Sequence, residues 1–366
     1  MRITSQRDDL AAALAIAARG ASTKSTLPVL SHVLLRAGAT GVELSSTDME
    51  LSLRLPVTAT VEESGDIVLP RLAADIVRSL APGSVVLEHR ENEASLMLTS
   101  GSSSFKLNAL QAADFPQLPE VDGDRIVLPA ERFTSSVERV ARAASRDDTR
   151  PVLTGVLMRV EPGALTMVAT DSYRLALRVA PLESAPQEAR AALIPARALQ
   201  EVSRLAQSTK AEKVELLLGE HLAAFRVGGV EVMSRLIDGQ FPDYRQLIPE
   251  TAEQEVRFDR AELLSVLGRI GVLAPRGTPI SLAFTHGQVT VMAMSEQHGE
   301  AEETIPVSFS GEDLEIRFNA EFLRDGVDAT DGDEVRIGLI SPMRPGIIRG
   351  AGDEFTYLLM PIRKNA

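Results

Sequence analysis

The amino-acid sequence repeats itself three times, and this repetition limits the possible folds more than any other feature. Leu-Pro-Val-Leu at 27–30 returns as Arg-Pro-Val-Leu at 150–153 and, more weakly, as Thr-Pro-Ile at 278–280. Ser-Thr-Asp at 46–48 returns as Ala-Thr-Asp at 169–171, and Phe-Pro at 115–116 returns at 241–242. A fixed long period of this kind indicates several copies of one structural unit.

The period also predicts the domain organisation. The chain has 366 residues, which is too long for one ordinary hydrophobic core, and a third of that length is about 122 residues. We expect boundaries near Asp122–Asp124 and near Glu250–Glu253. The predicted domains are therefore 1–122, 123–250 and 251–366, of which the third copy is the most diverged.

Each copy is predicted to contain two helices and several short strands. Apolar and polar residues alternate at 85–89, 95–99, 214–218 and 289–294, which is typical of half-buried strands. The fold class is therefore α+β, three repeated copies of a sheet-plus-two-helices domain with the helices on one sheet face. The six helices are predicted at 8–18, 72–80, 130–145, 196–206, 260–272 and 319–329.

Composition excludes several classes of protein. The absence of cysteine excludes thiol catalysis, Cys-ligated zinc, iron–sulfur clusters and disulfides, and it favours a reducing compartment, so we expect a cytoplasmic protein. The longest apolar run, at 10–18, is too short to span a membrane. With 38 basic and 51 acidic residues, the net charge of −13 argues against diffuse affinity for nucleic acid. A concentrated basic stripe stays open.

Three of the predicted helices carry such a stripe on the side opposite their apolar residues. A solvated helix face usually mixes both signs of charge, so the recurrence favours a basic lining that neutralises phosphates, with a solvated face as the alternative. No base-reading motif accompanies it, so any contact with DNA is expected to be to the backbone. The arginines are Arg71 and Arg78, then Arg132, Arg139, Arg142 and Arg146, and finally Arg197 and Arg204.

A search for catalytic chemistry finds no positive signal. The five histidines are scattered without the spacing of a metal site, so no metal is predicted. Gly-Ala-Ser-Thr-Lys-Ser at 20–25 is too short for a phosphate loop, and neither a nucleophile elbow nor a dinucleotide-binding motif is present. We therefore predict neither a cofactor nor an enzymatic activity.

The tyrosines indicate a binding surface. All three, Tyr173, Tyr244 and Tyr357, lie in segments that also carry Arg, Met or Pro, and the chain has no tryptophan. Amphipathic aromatic residues together with Met and Arg are enriched at interfaces with partner proteins. Three ordinary strand tyrosines with satisfied hydroxyl groups are the open alternative.

These residues resemble the bacterial DNA polymerase III beta subunit family of sliding clamps. The most specific stretches are Thr-Leu-Pro-Val-Leu at 26–30, Ala-Thr-Asp at 169–171, Asp-Gly-Gln-Phe-Pro-Asp-Tyr-Arg at 238–245 and Tyr-Leu-Leu-Met-Pro-Ile-Arg at 357–363. The resemblance implies a DNA clamp fold and a head-to-tail homodimer whose six domains close a ring around duplex DNA. It implies a non-catalytic processivity factor that tethers the DNA polymerase III catalytic subunit, the clamp loader, other polymerases and repair proteins through short peptide motifs.

The resemblance also assigns three sets of residues. A peptide-binding groove between the second and third copies would be built from Arg150, Leu153, Thr170, Ser172, Tyr173, Arg174, Leu175, Pro242, Gln246, Leu247, Leu358, Met360, Pro361, Ile362 and Arg363. DNA contacts would come from Lys24, Arg71, Arg78, Arg139, Arg146, Arg197 and Arg204. The dimer interface would include Phe105, Leu107, Val272 and Leu273.

Within the groove we expect Arg150 and Arg174 to act as charged rims. The apolar floor is expected to consist of Leu153, Leu175, Leu247 and Met360. Departures from the family pattern at Ser172, Tyr173, Gln246 and the 364–366 extension leave its peptide preference open. A scaffold that binds only proteins, or an enzyme with a site assembled between domains, are the alternatives. Retention on closed circular DNA but not on linear DNA would distinguish a ring from both.

Overall fold

The computed structural model describes residues 1–23, 25–90, 93–182, 189–249, 252–274, 277–352 and 354–363. The helices are α1 Arg7–Gly20, α2 Leu72–Ser79, α3 Ala130–Val140, α4 Ala196–Ser208, α5 Arg260–Gly271 and α6 Ala320–Asp328. The strands of the first half are β1 Arg2–Gln6, β2 His32–Gly38, β3 Gly41–Thr47, β4 Leu51–Val57, β5 Ala59–Glu63, β6 Gly65–Pro70, β7 Ser84–Glu88, β8 Ser95–Ser100, β9 Ser103–Asn108, β10 Asp124–Pro129, β11 Gly155–Glu161, β12 Ala164–Thr170 and β13 Arg174–Pro181. The later strands are β14 Arg190–Pro195, β15 Lys213–Leu218, β16 Leu222–Val227, β17 Val230–Arg235, β18 Gln254–Asp259, β19 Pro279–Thr285, β20 Gln288–Ser295, β21 Gly299–Pro306, β22 Leu314–Asn319, β23 Glu334–Leu339, β24 Gly346–Arg349 and β25 Phe355–Leu359.

All six predicted helices are present, and the apolar stripes are buried as expected. On α3, Phe133, Val137 and Val140 are each at most 1% exposed. This helix ends five residues earlier than predicted, because the backbone tightens into a 3-10 turn at Ala141–Ala143. In the third copy, Asp259 and Asn319 cap α5 and α6 by accepting hydrogen bonds from backbone N–H groups.

The described chain forms two compact units. The first contains 1–130 and 204–236, and the second contains 131–203 and 237–366. The first unit holds a five-stranded sheet in the order β5-β1-β7-β8-β9 and an eight-stranded sheet in the order β10-β15-β16-β17-β4-β3-β2-β6. The second holds an eight-stranded sheet in the order β14-β11-β12-β13-β25-β24-β23-β18 and a four-stranded sheet in the order β21-β20-β19-β22.

The units do not follow the repeat, because sheets continue from one copy into the next. Strand β4 of the first copy pairs antiparallel with β17 of the second, with Ser52 opposite Met233. Strand β13 of the second copy pairs in the same way with β25 of the third, with Leu175 opposite Leu358. The second copy therefore contributes one half to each unit. Of the predicted boundaries, residues 250 and 251 lie outside the described residues.

The helices cover one face of their sheets. In the first unit, α1 packs on β3 and β4 and lies beside α2; in the second, α5 packs on β20 and β21 and lies beside α6. In the second unit α6 also packs on β24 and β25 of the eight-stranded sheet that carries the candidate site. None of the helices in the described ranges combines the length and the apolar character needed to cross a membrane.

Candidate functional site

An apolar cluster lies on one face of the eight-stranded sheet of the second unit. Since side chains alternate between faces along a strand, the paired residues Leu175 and Leu358 share a face, as do their neighbours Val168 and Ile347. These four residues are buried, at most 4% exposed. The partly buried side chains that pack against them are Leu157, Leu177, Phe241, Tyr244 and Ile248. The cluster forms the floor of a candidate groove.

A 3-10 turn at Tyr244–Leu247 borders this floor. Asp243 caps the turn by accepting a hydrogen bond from the backbone N–H of Arg245, and its other carboxylate oxygen accepts from Nε2 of Gln246 at 2.8 Å. Tyr244 is thereby turned onto the floor while Leu247 stays 51% exposed. An exposed leucine beside an apolar floor is available to a partner.

A tight turn between β12 and β13 forms a second border. The Asp171 carboxylate accepts hydrogen bonds from the backbone N–H groups of Tyr173, at 2.9 Å, and Arg174, at 3.0 Å. The Tyr173 side chain is 62% exposed, and its carbonyl accepts from the N–H of Met360 at 2.9 Å. The turn and the end of β25 therefore present two adaptable side chains, Tyr173 and Met360, next to each other.

Ser172 lies at the tip of this turn and contacts Arg150. Its backbone lies in the left-handed region at φ 80°, which disfavours side chains other than glycine. Its hydroxyl accepts a hydrogen bond from Nη1 of Arg150 at 3.1 Å, while Nε of Arg150 donates to Asp147. Hydrogen bonds from Thr149 hold the pKa of Asp147 below its usual value. The exposed Arg150 therefore lies beside the turn, and its role as a charged rim stays a prediction.

The predicted rim role of Arg174 is wrong. Arg174 and Leu175 are neighbours on one strand, so alternation places the Arg174 side chain on the helix-covered face, where it is only 9% exposed. Its guanidinium donates to Asp171, to Asp325 of α6 and to the carbonyl of Arg142. Burial lowers the pKa of Arg174, but Tyr357, Asp325 and Asp171 together raise it above the ordinary value.

Leu247 and Met360, which were expected in the floor, are 51% and 45% exposed and lie at its edges instead. The remaining groove residues divide into floor and edges. Thr170 and Leu153 are buried, Pro242 and Gln246 are exposed, and Pro361 and Ile362 are half-buried. The N–H of Ile362 donates to Arg317 of β22, and the exposed Arg363 follows it. The 364–366 extension lies outside the described residues. Sequence reasoning missed Val168, Leu177, Ile347, Phe241 and Ile248, although strand alternation could have indicated the first three.

The basic stripes are only partly available to a ligand. Arg139 donates to the Ala329 carbonyl and forms an ion pair with Asp331, and Arg142 pairs with Asp328 at 3.0 Å. These arginines fasten α3 to the end of α6, so the expected phosphate role of Arg139 is corrected. The exposed members of the predicted set are Arg71, Arg78, Arg146, Arg197 and Arg204, while Lys24 lies outside the described residues.

The expected interface residues lie on an edge strand of the five-stranded sheet and directly after helix α5. Phe105 and Leu107 belong to β9, an edge strand of the five-stranded sheet; Phe105 is half-buried and Leu107 is 8% exposed. Val272 directly follows α5 and is 82% exposed, and Leu273 is half-buried. Across the described residues, no three histidine or acidic side chains are placed to hold a metal ion.

Comparison with known proteins identifies the family. The N-terminal, central and C-terminal domain models of the DNA polymerase III beta subunit match residues 1–119, 127–243 and 245–363. The chain belongs to the DNA polymerase III beta subunit family. The beta sliding clamp of Streptomyces coelicolor is 34% identical and that of Synechococcus elongatus is 33% identical, each over 99% of both chains.

Solved structures agree with this assignment. The clamp from Pseudomonas aeruginosa, solved bound to griselimycin, matches with a TM-score of 0.91 at 30% identity, and the Bacillus subtilis clamp matches with 0.91 at 29%, each over 100% of both chains. The predicted α+β class with three clamp domains is confirmed. The protein is a non-catalytic sliding clamp that gives DNA polymerase III its processivity.

Proposed function

We propose that this protein works as a homodimeric ring closed by pairing β9 of one copy with β21 of the other. The supporting observation is an equivalence between the copies. Strands β4 and β13 hold the same place in the first and second repeats, and each pairs with the last strand of the next repeat. In the third repeat β21 holds that place, and both β21 and β9 are sheet edges. An unpaired strand edge offers backbone hydrogen-bonding groups to which a strand of another chain can pair.

The pairing of β4 with β17 inside the chain predicts the register of β21 with β9. Six residues on from Gly41 and from Gln288, each the first residue after a two-residue turn, lie Thr47 and Met294, whose cross-strand partners are Ser52 and Glu300. Ser52 pairs with Met233, which lies three residues on from Val230, the first residue after the turn before β17. The same count from Ser103, the first residue after the turn before β9, reaches Lys106. We therefore expect Lys106 to lie opposite Glu300 of the partner subunit.

This register explains why β9 alternates as it does. Lys106 is exposed and would meet a carboxylate, whereas Phe105 and Leu107 point to the other face, where the partner's Val272 would add apolar surface. An opposite-charge cross-strand pair contributes about 0.2–1 kcal/mol. The apolar side chains would contribute more, so Phe105→Ala with Leu107→Ala should cost roughly 2–4 kcal/mol of association.

Charge exchange tests the dimer and its register together. Lys106→Glu and Glu300→Lys should each lower the dimer fraction in sedimentation velocity at low protein concentration, and the double exchange should restore it. Lys213→Glu is a matched control, since Lys213 is an exposed strand lysine that pairs with Glu215 within the chain. A monomeric parent protein would contradict the ring, and a double exchange without recovery would contradict the register.

We also propose that the ring encircles duplex DNA through sequence-independent phosphate contacts. The support is the set of exposed arginines on helices whose other face is buried, as on α4, where Leu199, Val202 and Leu205 are inaccessible while Arg197 and Arg204 are exposed. Such contacts release counterions, so binding should weaken steeply as salt rises. Loaded rings should stay on closed circles and leave linear DNA.

A double charge reversal tests the proposed phosphate contacts of helix α4. Arg197→Glu with Arg204→Glu should reduce loading and flatten the salt dependence, measured as retention on nicked circular DNA. Arg226→Glu changes an exposed arginine of strand β16 and should have little effect. Equal loading by the double variant and the parent would show that the α4 stripe is only a solvated face.

We propose that the apolar groove holds short peptides of the polymerase catalytic subunit, the clamp loader and other replication and repair proteins. Leu175 and Leu358 supply a buried floor, and Tyr173, Leu247 and Met360 supply exposed edges. Because a flexible peptide must be ordered on binding, the dissociation constant should be about micromolar. We further propose that the protein is cytoplasmic, because a replication clamp acts where the chromosome is copied and because the chain has no cysteine.

The groove is best tested at its exposed edges. Removing residues 358–366 would also delete Leu358 and Leu359, which are buried in β25, so loss of binding could follow from unfolding. Leu247→Ala with Met360→Ala leaves the floor intact and should weaken a polymerase-tail peptide about tenfold or more in calorimetry. Met294→Ala, at an exposed methionine of β20, is the control. Unchanged affinity in the edge variant would contradict the groove.

The three-domain organisation 1–122, 123–250 and 251–366 remains our proposal for how the ring is divided. The ranges matched by the three family domain models support it. Limited proteolysis of the native dimer should cut first near these boundaries, whereas early cuts inside β4 or β13 would contradict it.

A further inference from the structure

A buried arginine lies directly beneath the turn that borders the groove. The Arg174 guanidinium donates from Nε to Asp171 at 3.0 Å, from Nη1 to Asp325 at 2.6 Å, and from Nη2 to the Arg142 carbonyl at 2.5 Å. The ring of Phe322 covers one face of the guanidinium at 4.0 Å. With 9% of the side chain exposed and all three nitrogens engaged, little of this charge can reach a ligand in the groove.

Two acceptors of Arg174, Asp171 and Asp325, connect it to the turn beside the groove and to helix α6. Asp171 holds the turn by accepting from the N–H groups of Tyr173 and Arg174. The Tyr173 carbonyl accepts from Met360, so both exposed edge residues depend on the shape of this turn. Asp325 belongs to α6 and therefore joins the turn to a rigid helix.

We propose that Arg174 is a positioning residue that fixes the Asp171–Tyr173 turn against α6 and so places Tyr173 and Met360 for peptide binding without touching the peptide. The inference rests on the proposed peptide-binding function of the groove. The turn contains Ser172 in a left-handed conformation, which costs energy, so a strong anchor is needed to keep it in one geometry. Arginine presents separate nitrogens to Asp171 and Asp325 in a fixed planar geometry, whereas lysine has a single ammonium nitrogen for both contacts.

The test compares two peptides and two arginines in the full-length dimer. The probes are a ten-residue tail peptide of the same organism's polymerase catalytic subunit and a version with Asp and Glu replaced by Asn and Gln. Arg174→Met should weaken both peptides by the same factor, about tenfold. It should also speed amide hydrogen exchange at Tyr173 and Met360. Arg174→Lys should recover part of the loss.

Arg178→Met is the matched control. Arg178 is also buried on the same strand and the same face, but it donates to Ser135 and Glu354 instead of holding the turn. The Arg178→Met variant should have a lower stability to unfolding, but its peptide affinity and its amide hydrogen exchange at Tyr173 and Met360 should equal those of the parent. If Arg174→Met does not fold, Asp325→Asn weakens the same contact by removing the negative charge on α6, and the same peptide affinities and exchange rates are measured. Asp331→Asn, which weakens the ion pair with Arg139 instead, is its control.

Three results would overturn the proposal. A larger loss for the acidic peptide than for the neutral one would mean that Arg174 contacts the peptide. Unchanged peptide affinity and amide exchange in Arg174→Met would mean that the Asp171–Tyr173 turn keeps its geometry without Arg174. Equal effects of Arg178→Met would mean that only general stability matters. If the parent binds neither peptide, the groove function fails, while exchange at Tyr173 and Met360 still decides whether Arg174 fixes the turn.

Discussion

Two glycines in helices of the third copy should respond in opposite ways to the same substitution. Gly326 of α6 lies against the ring of Tyr357: a Cβ added there would come within 2.6 Å of Cδ1 and 2.7 Å of Cε1. The ring cannot easily retreat, because Tyr357 is fully buried and its hydroxyl donates to the Phe322 carbonyl at 2.9 Å. Gly268 of α5 borders a cavity of about 630 Å³, and a Cβ there would meet nothing within 4 Å.

The magnitudes follow from two terms. Replacing a helical glycine by alanine gains about 1 kcal/mol from backbone entropy at either position. At position 326, overpacking against a pinned ring costs about 1–3 kcal/mol, and displacing the hydroxyl forfeits about 1 kcal/mol more. Gly326→Ala should therefore destabilise by about 1–3 kcal/mol, whereas Gly268→Ala should stabilise by up to about 1 kcal/mol.

Urea unfolding followed by circular dichroism measures both effects on the same protein. The midpoint should fall for Gly326→Ala and rise or stay constant for Gly268→Ala. Because α6 packs on β25, Gly326→Ala should also weaken peptide binding at Met360. Equal midpoints for the parent and Gly326→Ala would refute the close approach of α6 to Tyr357, and a fall for Gly268→Ala would refute the open space beside α5.

Further expectations concern charge, strain and pH. Burial raises the pKa of Tyr357, although Arg174 acts to lower it. Since the folded-state pKa lies above the unfolded value of about 10, Tyr357 favours folding below that pH and this contribution is lost as pH rises, so Tyr357→Phe should flatten the alkaline fall in thermal midpoint. Ser172→Gly should relieve about 1 kcal/mol of left-handed strain and raise the midpoint, whereas Ser172→Val should lower it. Arg139→Gln should destabilise the fold, measured by urea midpoint, because it leaves Asp331 unpaired, and it should change the salt dependence of DNA retention less than Arg204→Gln does.

Local pattern in the sequence was sufficient to predict the repeat, the six helices and their buried faces. Helical periodicity placed Phe133 and Val137 in the core and Arg204 on the opposite side of its helix, because a helix fixes side-chain direction by residue number alone. Alternation along strands carries the same kind of information. It could have placed Leu175 and Arg174 on opposite faces of the sheet.

The arginines show where pattern alone fails. Arg139 looks like a surface arginine of its helix in the sequence, yet it binds Ala329 and Asp331, residues about 190 positions later. The sequence cannot show which exposed charge will meet a distant carboxylate, because that depends on where two elements pack. Arg174 was assigned to the rim for the same reason, and its acceptor Asp325 lies 151 residues away.

The sequence by itself determined that this protein is built from three copies of one α+β unit, since repetition, periodicity and capping are local properties of the chain. Tertiary structure decided that sheets are shared between copies, that Leu175 meets Leu358, and that Arg174 supports the groove from beneath. Strand pairing across copies depends on which edges find each other in space. The choice of partner is a property of the whole packed chain, because every strand edge offers the same backbone hydrogen bonds.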